Sequence, residues 1–479
     1  MKMNWSRQAP SPPQPPAGRT ELTAGRQGLH DGPEPWHPGI WHGLEALQQP
    51  NWTSTGISRV RRLLRSLPPL TTREDVRALA VSLAEVQAGK AFVLQAGDCA
   101  EPFGTAAVEG AAAKDHLLGR LSTLISDHIG LPVVTIGRLA GQFGKPRSQP
   151  TELVEGRVLP SFRGLIVNGP SPTEAERRHF APRLIDAYRT AQEVFAELER
   201  LARDFGPGDP AEFPPWWSSP PPRLSIVDSS GSGHRPGSVR VHNRLWASHE
   251  ALVLDYEEPL TRRDPDTGDW YLSSTHLPWI GARTNQPDGA HAMFLAGVAN
   301  PIACKVGLDV GTQDLLRLCA RLDPHHTPGR LTLIVRHGAA LIRDRLPALV
   351  AAVREAGHPV IWMCDPMHGN TVKAPSGLKT RYYDDILDEV QGFFAVMAEQ
   401  SQWPGGVHLE VAADDVTECV GGGGPGLADL PSRYRSLCDP RLNDVQALAL
   451  VREIADLLFA AAASPSDATG LLAANCLGD

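Results

Sequence analysis

Short apolar segments recur at broad intervals along the chain, and most of them are separated by stretches whose apolar positions repeat at helical spacing. The eight segments that read as buried strands are 92–96, 133–137, 239–247, 274–280, 301–306, 331–335, 360–363 and 407–411. Strands that alternate with helices in eight repeats are typical of a (β/α)8 barrel, in which all strands are parallel. We therefore predict an α/β fold built on a TIM barrel.

Helical patterns separate and flank these strands. Residues 314–322 and 346–357 carry apolar positions three and four residues apart, as one buried helix face requires. A similar pattern over 72–88 precedes the first strand, with Thr72 as its N-cap. Another pattern over 444–462 follows the last strand, with Asn443 or Asp444 as its cap. We expect an N-terminal helical extension and a final helix that closes the barrel.

The interval between the second and third predicted strands is too long for one crossover helix. It holds an amphipathic segment at 182–206 and then a Pro-rich stretch at 206–223. We interpret it as a helical insertion of about 170–235, suited to an oligomer contact or a regulatory element. The predicted layout is an N-terminal arm and helix at 1–88, a catalytic barrel at 89–465 that carries the insertion, and a tail at 466–479.

Composition and charge exclude several classes of protein. The chain has 479 residues, 42% of them hydrophobic, and a net charge of −8, so it can bury a large core and offers no basic stripe to nucleic acid. No apolar run reaches the ~18 residues of a membrane span, and the polar, Pro-rich start lacks the apolar stretch of a signal peptide. Seven cysteines without a CxxC pair indicate a reduced protein. We expect a cytoplasmic homodimer or higher homo-oligomer that binds neither nucleic acid nor membrane.

Polar residues gather where the predicted strands end, and four of them are potential metal ligands. Cys99 follows the first strand in QAGDCAE, and His368 follows the seventh in CDPMHGNT. Glu410 lies on the eighth strand, and Asp439 comes after it in CDPRLN. All strand ends of a barrel share one rim, where a thiolate, an imidazole and two carboxylates would suit Mn²⁺, Co²⁺, Fe²⁺ or Zn²⁺. Each residue alone has a plainer interpretation, since a lone cysteine is usually just buried and a lone histidine is more often not a ligand.

Six cations occupy the same predicted rim. They are Arg138, Lys145, Arg147, Arg283, Lys305 and Arg336. Arginine forks and lysine ammonium groups bind phosphate and carboxylate, whereas salt bridges beneath the loops are the alternative interpretation. A metal beside so many anion-binding groups indicates a phosphorylated substrate and a carbonyl that the metal polarises.

The motifs around these residues resemble those of the type II 3-deoxy-D-arabino-heptulosonate 7-phosphate (DAHP) synthases. The matching stretches include QAGDCAE (95–101), GRLAGQFGKPRS (137–148), WIGARTNQPDGAH (279–291), CDPMHGNT (364–371) and CDPRLN (438–443), and the resemblance spans about residues 90–460. It implies a (β/α)8 barrel with an N-terminal extension and a helical insertion. It also implies a transferase that condenses phosphoenolpyruvate (PEP) with erythrose 4-phosphate and releases phosphate. That reaction opens the shikimate pathway to aromatic amino acids, in primary or secondary metabolism.

The resemblance also implies a role for each site residue. The metal ligands would be Cys99, His368, Glu410 and Asp439, with Mn²⁺ or Co²⁺ expected and Zn²⁺ or Fe²⁺ as alternatives. PEP would contact Arg138, Lys305, Arg336 and the backbone near Ala282 and Arg283. The sugar phosphate would contact Lys145, Arg147, Ser148 and Arg283. The catalytic set would be His368, Glu250 to orient or deprotonate the water that adds to PEP, and Lys305 as a proton donor.

Three positions depart from the family's pattern and leave the acceptor open. Ala282 stands where the family usually has an acidic residue, and Leu165 and Ile166 stand where it usually has a polar pair. Since leucine cannot orient a substrate hydroxyl, one alternative is a homologue that uses a modified aldehyde, such as an amino- or imino-tetrose phosphate of an aminoshikimate-type pathway. A noncatalytic subunit that binds PEP or a sugar phosphate is a further alternative, which the complete metal and cation sets argue against.

Overall fold

Eight parallel strands form a closed barrel in the computed structural model of this chain, which describes residues 36–204 and 244–462. Each strand pairs with the strands before and after it in the chain, and the last pairs with the first. The strands are β1 Phe92–Gly97, β2 Val133–Arg138, β3 Trp246–Glu250, β4 Leu277–Ile280, β5 Ile302–Val306, β6 Leu331–Val335, β7 Val360–Cys364 and β8 Pro404–Glu410. The predicted TIM barrel is confirmed.

The third, fourth and eighth strands differ most from their predicted ranges, and β8 runs from Pro404 to Glu410 rather than over 407–411. β3 begins at Trp246 and runs through His249 and Glu250, which pair with β4, so within the described part of the predicted range of 239–247 only residues 246–247 are in the strand. Residues 239–243 of that range lie outside the described residues. β4 begins at Leu277 rather than at 274, because the hydroxyls of Ser273 and Thr275 bond to carbonyls of neighbouring segments before the ladder begins. The first, second, fifth, sixth and seventh strands match their predicted ranges to within one residue at each end.

Helices surround the barrel. In chain order they are α1 Ser54–Ser66, α2 Arg73–Gln87, α3 Thr105–Ile129, α4 Glu174–Arg177, α5 Arg183–Asp204, α6 Leu254–Glu257, α7 Ala290–Ala296, α8 Thr312–Leu322, α9 Ile342–Glu355, α10 Tyr383–Glu399 and α11 Asp444–Ala462. The helical segment expected between the second and third strands is α5, which packs against α3 in the ring of helices. The stretch from 205 to 235 of the expected insertion lies outside the described residues.

Two predicted helix starts carry reciprocal caps. The Thr72 hydroxyl accepts the Asp75 backbone N–H while the Asp75 carboxylate accepts the Thr72 backbone N–H, which satisfies two donors that the helix leaves unpaired. At α11 the side chains of Asn443 and Gln446 do the same for each other's backbone. Asn443, rather than Asp444, is therefore the cap that satisfies the first turn.

Helix α2 covers the end of the barrel from which the strands start. Its fully buried Leu79, Leu83 and Val86 belong to one apolar cluster with side chains of seven barrel strands. Burial of each such side chain contributes about 1.5–3 kcal/mol. Gly329, just before β6, approaches this helix so closely that a Cβ would lie 2.5 Å from the carbonyl oxygen of Ala80, and its φ of +75° also favours glycine. The opposite, carboxyl end of the barrel remains the open one.

The loops at the carboxyl end carry extra structure. Two-stranded hairpins lie after β2 (Thr151–Val154 with Arg157–Pro160), after β3 (Thr261–Arg263 with Trp270–Leu272) and after β7 (Val372–Lys373 with Lys379–Thr380). Within the described ranges, none of the helices has the length and apolar character needed to cross a membrane.

Candidate active site

A pocket of about 420 Å³ opens at the carboxyl end of the barrel, where TIM-barrel enzymes place their sites. Ten of the twelve site residues expected from the sequence line it: Arg138, Lys145, Arg147, Ser148, Glu250, Arg283, Lys305, Arg336, His368 and Asp439. The other two, Cys99 and Glu410, are buried beside Lys145 beneath the pocket. The fold therefore gathers the whole expected set.

Three of the four expected metal ligands form a tight group. The sulfur of Cys99 and one carboxylate oxygen each from Glu410 and Asp439 lie within 4.8 Å of one another. His368 is outside this group by that measure, but its Nε2 lies 3.1 Å from Oε1 of Glu410. The four residues come from the segment after β1, the segment after β7, the end of β8 and a later loop, so only the closed barrel unites them.

The ammonium of Lys145 lies among all four of these side chains. Its Nζ is 3.0 Å from Cys99 Sγ and 2.7 Å from Asp439 Oδ2. It is also 3.5 Å from Glu410 Oε1 and 3.4 Å from His368 Nε2. The four atoms thus converge on a point that accommodates a positive charge. A thiol, an imidazole and two carboxylates around such a point fit a divalent transition metal, and Lys145 serves as the stand-in cation.

Electrostatics keep the two carboxylates of this group ionised. Burial would raise the pKa of Asp439, but Lys145, Arg381 and His368 together outweigh it and hold the pKa below its usual range. Burial also opposes ionisation of Glu410, yet His368, Lys145, Arg381 and Arg138 hold its pKa well below the usual value. Burial raises the pKa of the Cys99 thiol well above its usual value, and a bound divalent cation would oppose this shift.

Asp365 joins the metal-ligand group to the pocket wall. Its carboxylate accepts from His368 Nδ1 at 2.8 Å and from the Lys305 ammonium at 2.5 Å. A histidine that donates from Nδ1 presents Nε2 as a lone pair, which is the form a metal binds. Burial lowers the pKa of Lys305 to about 7, although Asp365 opposes the shift. Asp365 was not predicted as a site residue, although its position three residues before His368 in CDPMHGNT was the available signal.

A polar chain inside the barrel orients Arg138. Nε2 of His408 accepts from this arginine, and Nδ1 of His408 donates to Gln95 at 2.7 Å. Burial, with help from Lys305 and Arg138, holds the pKa of His408 well below its usual value, so the imidazole is the neutral acceptor that Arg138 requires. Gln95 and His408 were not predicted as site residues. The available signal was period-2 spacing, since His408 and Glu410 share one face of their strand.

Two guanidinium groups in the pocket lack a carboxylate. Across the residues that the structure describes, neither Arg283 nor Arg336 forms an ion pair; the first donates to the Ser148 hydroxyl at 2.7 Å and the second to the His368 carbonyl at 3.0 Å. Arg147, by contrast, is paired with Glu152 of the hairpin after β2. The pocket therefore presents unneutralised positive charge on the side of β4 and β6, which favours an anionic ligand.

Glu250 faces the pocket from the end of β3. Its Oε1 is buried without a hydrogen-bond partner among the described residues, and burial raises its pKa. The absence of a side chain at Gly281 leaves room for the Glu250 carboxylate, because a Cβ on Gly281 would lie 1.9 Å from Oε1 of Glu250. A carboxyl group that is desolvated and unpaired is suited to proton transfer.

The three positions that depart from the family's pattern are not equivalent. Ala282 lines the pocket. Ile166 is buried in an apolar cluster with Phe143, and Leu165 packs beside Cys99. Of the three, only Ala282 therefore lines the pocket, although Leu165 lies close to the metal-ligand group through its contact with Cys99.

Comparison with known proteins places similar sequences along nearly the whole described fold. A model of the class-II DAHP synthetase family matches residues 36–208 and 223–455. A Pseudomonas fluorescens protein named probable phospho-2-dehydro-3-deoxyheptonate aldolase is 44% identical over 408 residues, which cover 85% of this chain and 94% of that protein. Proteins named phospho-2-dehydro-3-deoxyheptonate aldolase from Streptomyces coelicolor and Mycolicibacterium smegmatis are 42% and 39% identical, over 87% and 86% of this chain and 96% and 92% of their own lengths.

Proposed function

Because this chain belongs to the class-II DAHP synthetase family, we propose that it condenses PEP with erythrose 4-phosphate to give DAHP and phosphate in a metal-dependent reaction. One observation carries the proposal. A single pocket combines four convergent ligand atoms around a positive charge with two guanidinium groups that have no carboxylate partner in the described ranges. The ligand atoms suit a divalent metal, and the guanidinium groups suit a substrate that carries both a phosphate and a carboxylate.

PEP would bind across the mouth of the barrel, between the end of β2 and the ends of β5 and β6 on the opposite side. Arg138, Lys305 and Arg336 come from these strands and line the pocket together, and the backbone at Ala282 and Arg283 borders them. Arg138 is held by His408 and Glu410, so it meets the substrate as a preorganised fork rather than as a mobile side chain. The phosphate and carboxylate of PEP are the anions that these groups would neutralise.

The aldehyde phosphate would bind at the outer wall of the pocket. Ser148 and Arg283 already contact each other there, and Arg147 lies beside them. Lys145 reaches between this wall and the metal-ligand group. These assignments place the aldehyde carbon between the bound PEP and the ligand atoms of Cys99 and Asp439.

Cys99, His368, Glu410 and Asp439 would hold the metal, and we expect Mn²⁺ or Co²⁺. When bound, the metal supplies Lewis acidity to the aldehyde oxygen. The third carbon of PEP bonds to the aldehyde carbon, and Lys305, with its pKa lowered to about 7, can give a proton to the new alkoxide. Glu250 can take a proton from the water that adds to the second carbon of PEP, after which C–O cleavage releases phosphate.

The pocket does not favour an amino-substituted acceptor. An amine would bring positive charge next to Arg283, and Ala282 removes the acid that could have paired with it. Erythrose 4-phosphate is therefore the acceptor that we propose. A cytoplasmic location and a homo-oligomeric state stay predictions.

The test is phosphate release by the purified full-length protein. With Mn²⁺, PEP and erythrose 4-phosphate, we expect one phosphate for each PEP consumed and an equal amount of a seven-carbon keto acid phosphate. No phosphate should appear when the aldehyde is omitted or when His368→Ala replaces the wild type. Turnover only with a different aldehyde would overturn the acceptor, and PEP binding without phosphate release under any of these conditions would indicate the noncatalytic alternative.

A further inference from the structure

Arg381 is fully buried beside the metal-ligand group and takes no part in the proposed chemistry. It lies between the hairpin that follows β7 and the start of α10. Its Nη1 donates to Glu410 Oε2 at 2.8 Å and also to the carbonyl of Pro440. Its Nε donates to the Thr371 hydroxyl at 2.9 Å. None of the motifs used in the sequence analysis contains this residue.

The three contacts of Arg381 fall on the three segments that carry His368, Glu410 and Asp439. Thr371 is three residues after His368 in the same loop, and Pro440 directly follows Asp439. Glu410 is contacted directly, and only through Oε2, while Oε1 faces Lys145 and His368. One planar guanidinium thus fixes the relative positions of three proposed ligands and decides which oxygen of Glu410 faces the metal point.

We propose that Arg381 is a positioning residue that preorganises the metal site, an inference that rests on the proposed metal-dependent function. Side chains that hold metal ligands from behind usually affect metal affinity by about 10- to 100-fold. Lysine cannot replace the arginine here, because one ammonium group on a flexible stem does not offer the rigid fork that reaches all three segments.

The experiment is a Co²⁺ titration of metal-depleted full-length protein. The dissociation constant comes from the thiolate-to-cobalt absorption band, and its loss in Cys99→Ser would assign the band to Cys99 rather than to the neighbouring Cys438. For Arg381→Met we expect the dissociation constant to rise about 10- to 100-fold, with a weaker band at equal occupancy. Arg381→Lys should recover only a small part of the loss.

Arg330 offers a matched control at the other end of the barrel. This largely buried arginine also donates to several segments, namely to backbone carbonyls such as those of Val298 and Leu322, but it contacts none of the proposed ligands. Arg330→Met should lower the unfolding temperature and leave the Co²⁺ dissociation constant within about twofold of the wild type. An equal loss of affinity in both variants would mean that Arg381 acts through stability alone and would overturn the inference.

A milder variant covers the case in which Arg381→Met does not fold. Thr371→Val removes one hydrogen bond of Arg381 and leaves Glu410 untouched, and it should raise the Co²⁺ dissociation constant about two- to tenfold. An unchanged constant in a folded variant of either residue contradicts the inference. If the wild type itself binds no Co²⁺ through Cys99, the proposed metal site fails first, so the two failures are distinguishable.

Discussion

The two sides of the pocket differ in how their charges are balanced. On the ligand side, the carboxylates of Glu410 and Asp439 are surrounded by Lys145, Arg138 and Arg381, so negative charge is already balanced by cations of the protein. On the anion side, Arg283 and Arg336 have no carboxylate partner among the described residues. On the ligand side, a metal ion can take the place of the Lys145 ammonium. On the anion side, the positive charge can only be balanced by a bound anion. This difference indicates which substrate or cofactor belongs where, and each variant below disturbs one side and spares the other.

Removal of a metal ligand should have the largest effect. We expect Cys99→Ser and His368→Ala to lower turnover by about 10³-fold or more, because the loss of Lewis acidity costs several kcal/mol of transition-state stabilisation. Steady-state phosphate release measures the effect, and calorimetry should show PEP affinity within a few-fold of wild type. Cys319→Ser, which alters a buried cysteine on α8, is the control and should remain active. Activity in Cys99→Ser near that of the control would contradict the ligand assignment.

Removal of a cation from the other side should mainly weaken PEP binding. For Arg336→Met we expect the PEP dissociation constant to rise about 10- to 100-fold, the usual cost of a lost hydrogen bond to a charged group. The Co²⁺ affinity should change much less, because Arg336 contacts the ligand group only through the backbone carbonyl of His368. Arg343→Met removes a nearby exposed arginine that pairs with Asp388, and it should leave both constants unaltered. If Arg336→Met weakened metal and PEP equally, the two sides would not be separable.

The pH dependence of kcat/KM should report the protonation state of Lys305. Since burial lowers the pKa of this residue to about 7, the free enzyme loses this positive charge as the pH rises through neutrality. We therefore expect kcat/KM for PEP to fall above pH 7, by up to about tenfold per pH unit. Lys305→Arg, which stays charged, should flatten this limb even if its overall rate is lower. A limb that persists unchanged in Lys305→Arg would assign it to another group.

The smallest effect should come from the positions that depart from the family's pattern. Ala282→Glu places an acid in the pocket wall next to Arg283, and we expect a change of about three- to tenfold in kcat/KM for erythrose 4-phosphate relative to ribose 5-phosphate. Leu165 does not line the pocket, so Leu165→Asn should leave the ratio of kcat/KM for the two aldehydes unchanged. If only Leu165→Asn changed the ratio, the loop around 165 would reach the acceptor in a way that this structure does not show.

The barrel was predictable from the sequence because its signal is local. Continuous apolar segments mark strands that are buried on both faces, and helical spacing marks the segments between them. β3 was placed wrongly because His249 and Glu250 look like a loop, although a strand end at a barrel rim can carry polar side chains that serve the site. Where the last residues of a strand are polar, the apolar pattern therefore stops before the strand does.

The expected site residues could be found because most of them lie near the end of a strand that the pattern identifies or in the loop that follows it. Residues such as His408 and Arg381 were missed because their roles depend on strand register and on contacts between segments that are distant in the sequence. A local sequence pattern contains neither kind of information. Arg381 lies before α10 and reaches Glu410 only because the hairpin after β7 folds over the rim. The same limit applies to Leu165 and Ile166, whose direction depends on how the loop packs against Cys99 and Phe143.

The most direct test of the account measures PEP binding and phosphate release in the same metal-depleted preparation. If the two sides of the pocket are separate, depleted protein should bind PEP with a dissociation constant within about threefold of the metal-loaded value, because Arg138, Lys305 and Arg336 do not need the metal. Addition of erythrose 4-phosphate should then release no phosphate until Mn²⁺ or Co²⁺ is restored. Phosphate release at the full rate from depleted protein, or release that metal does not restore, would contradict the central claim.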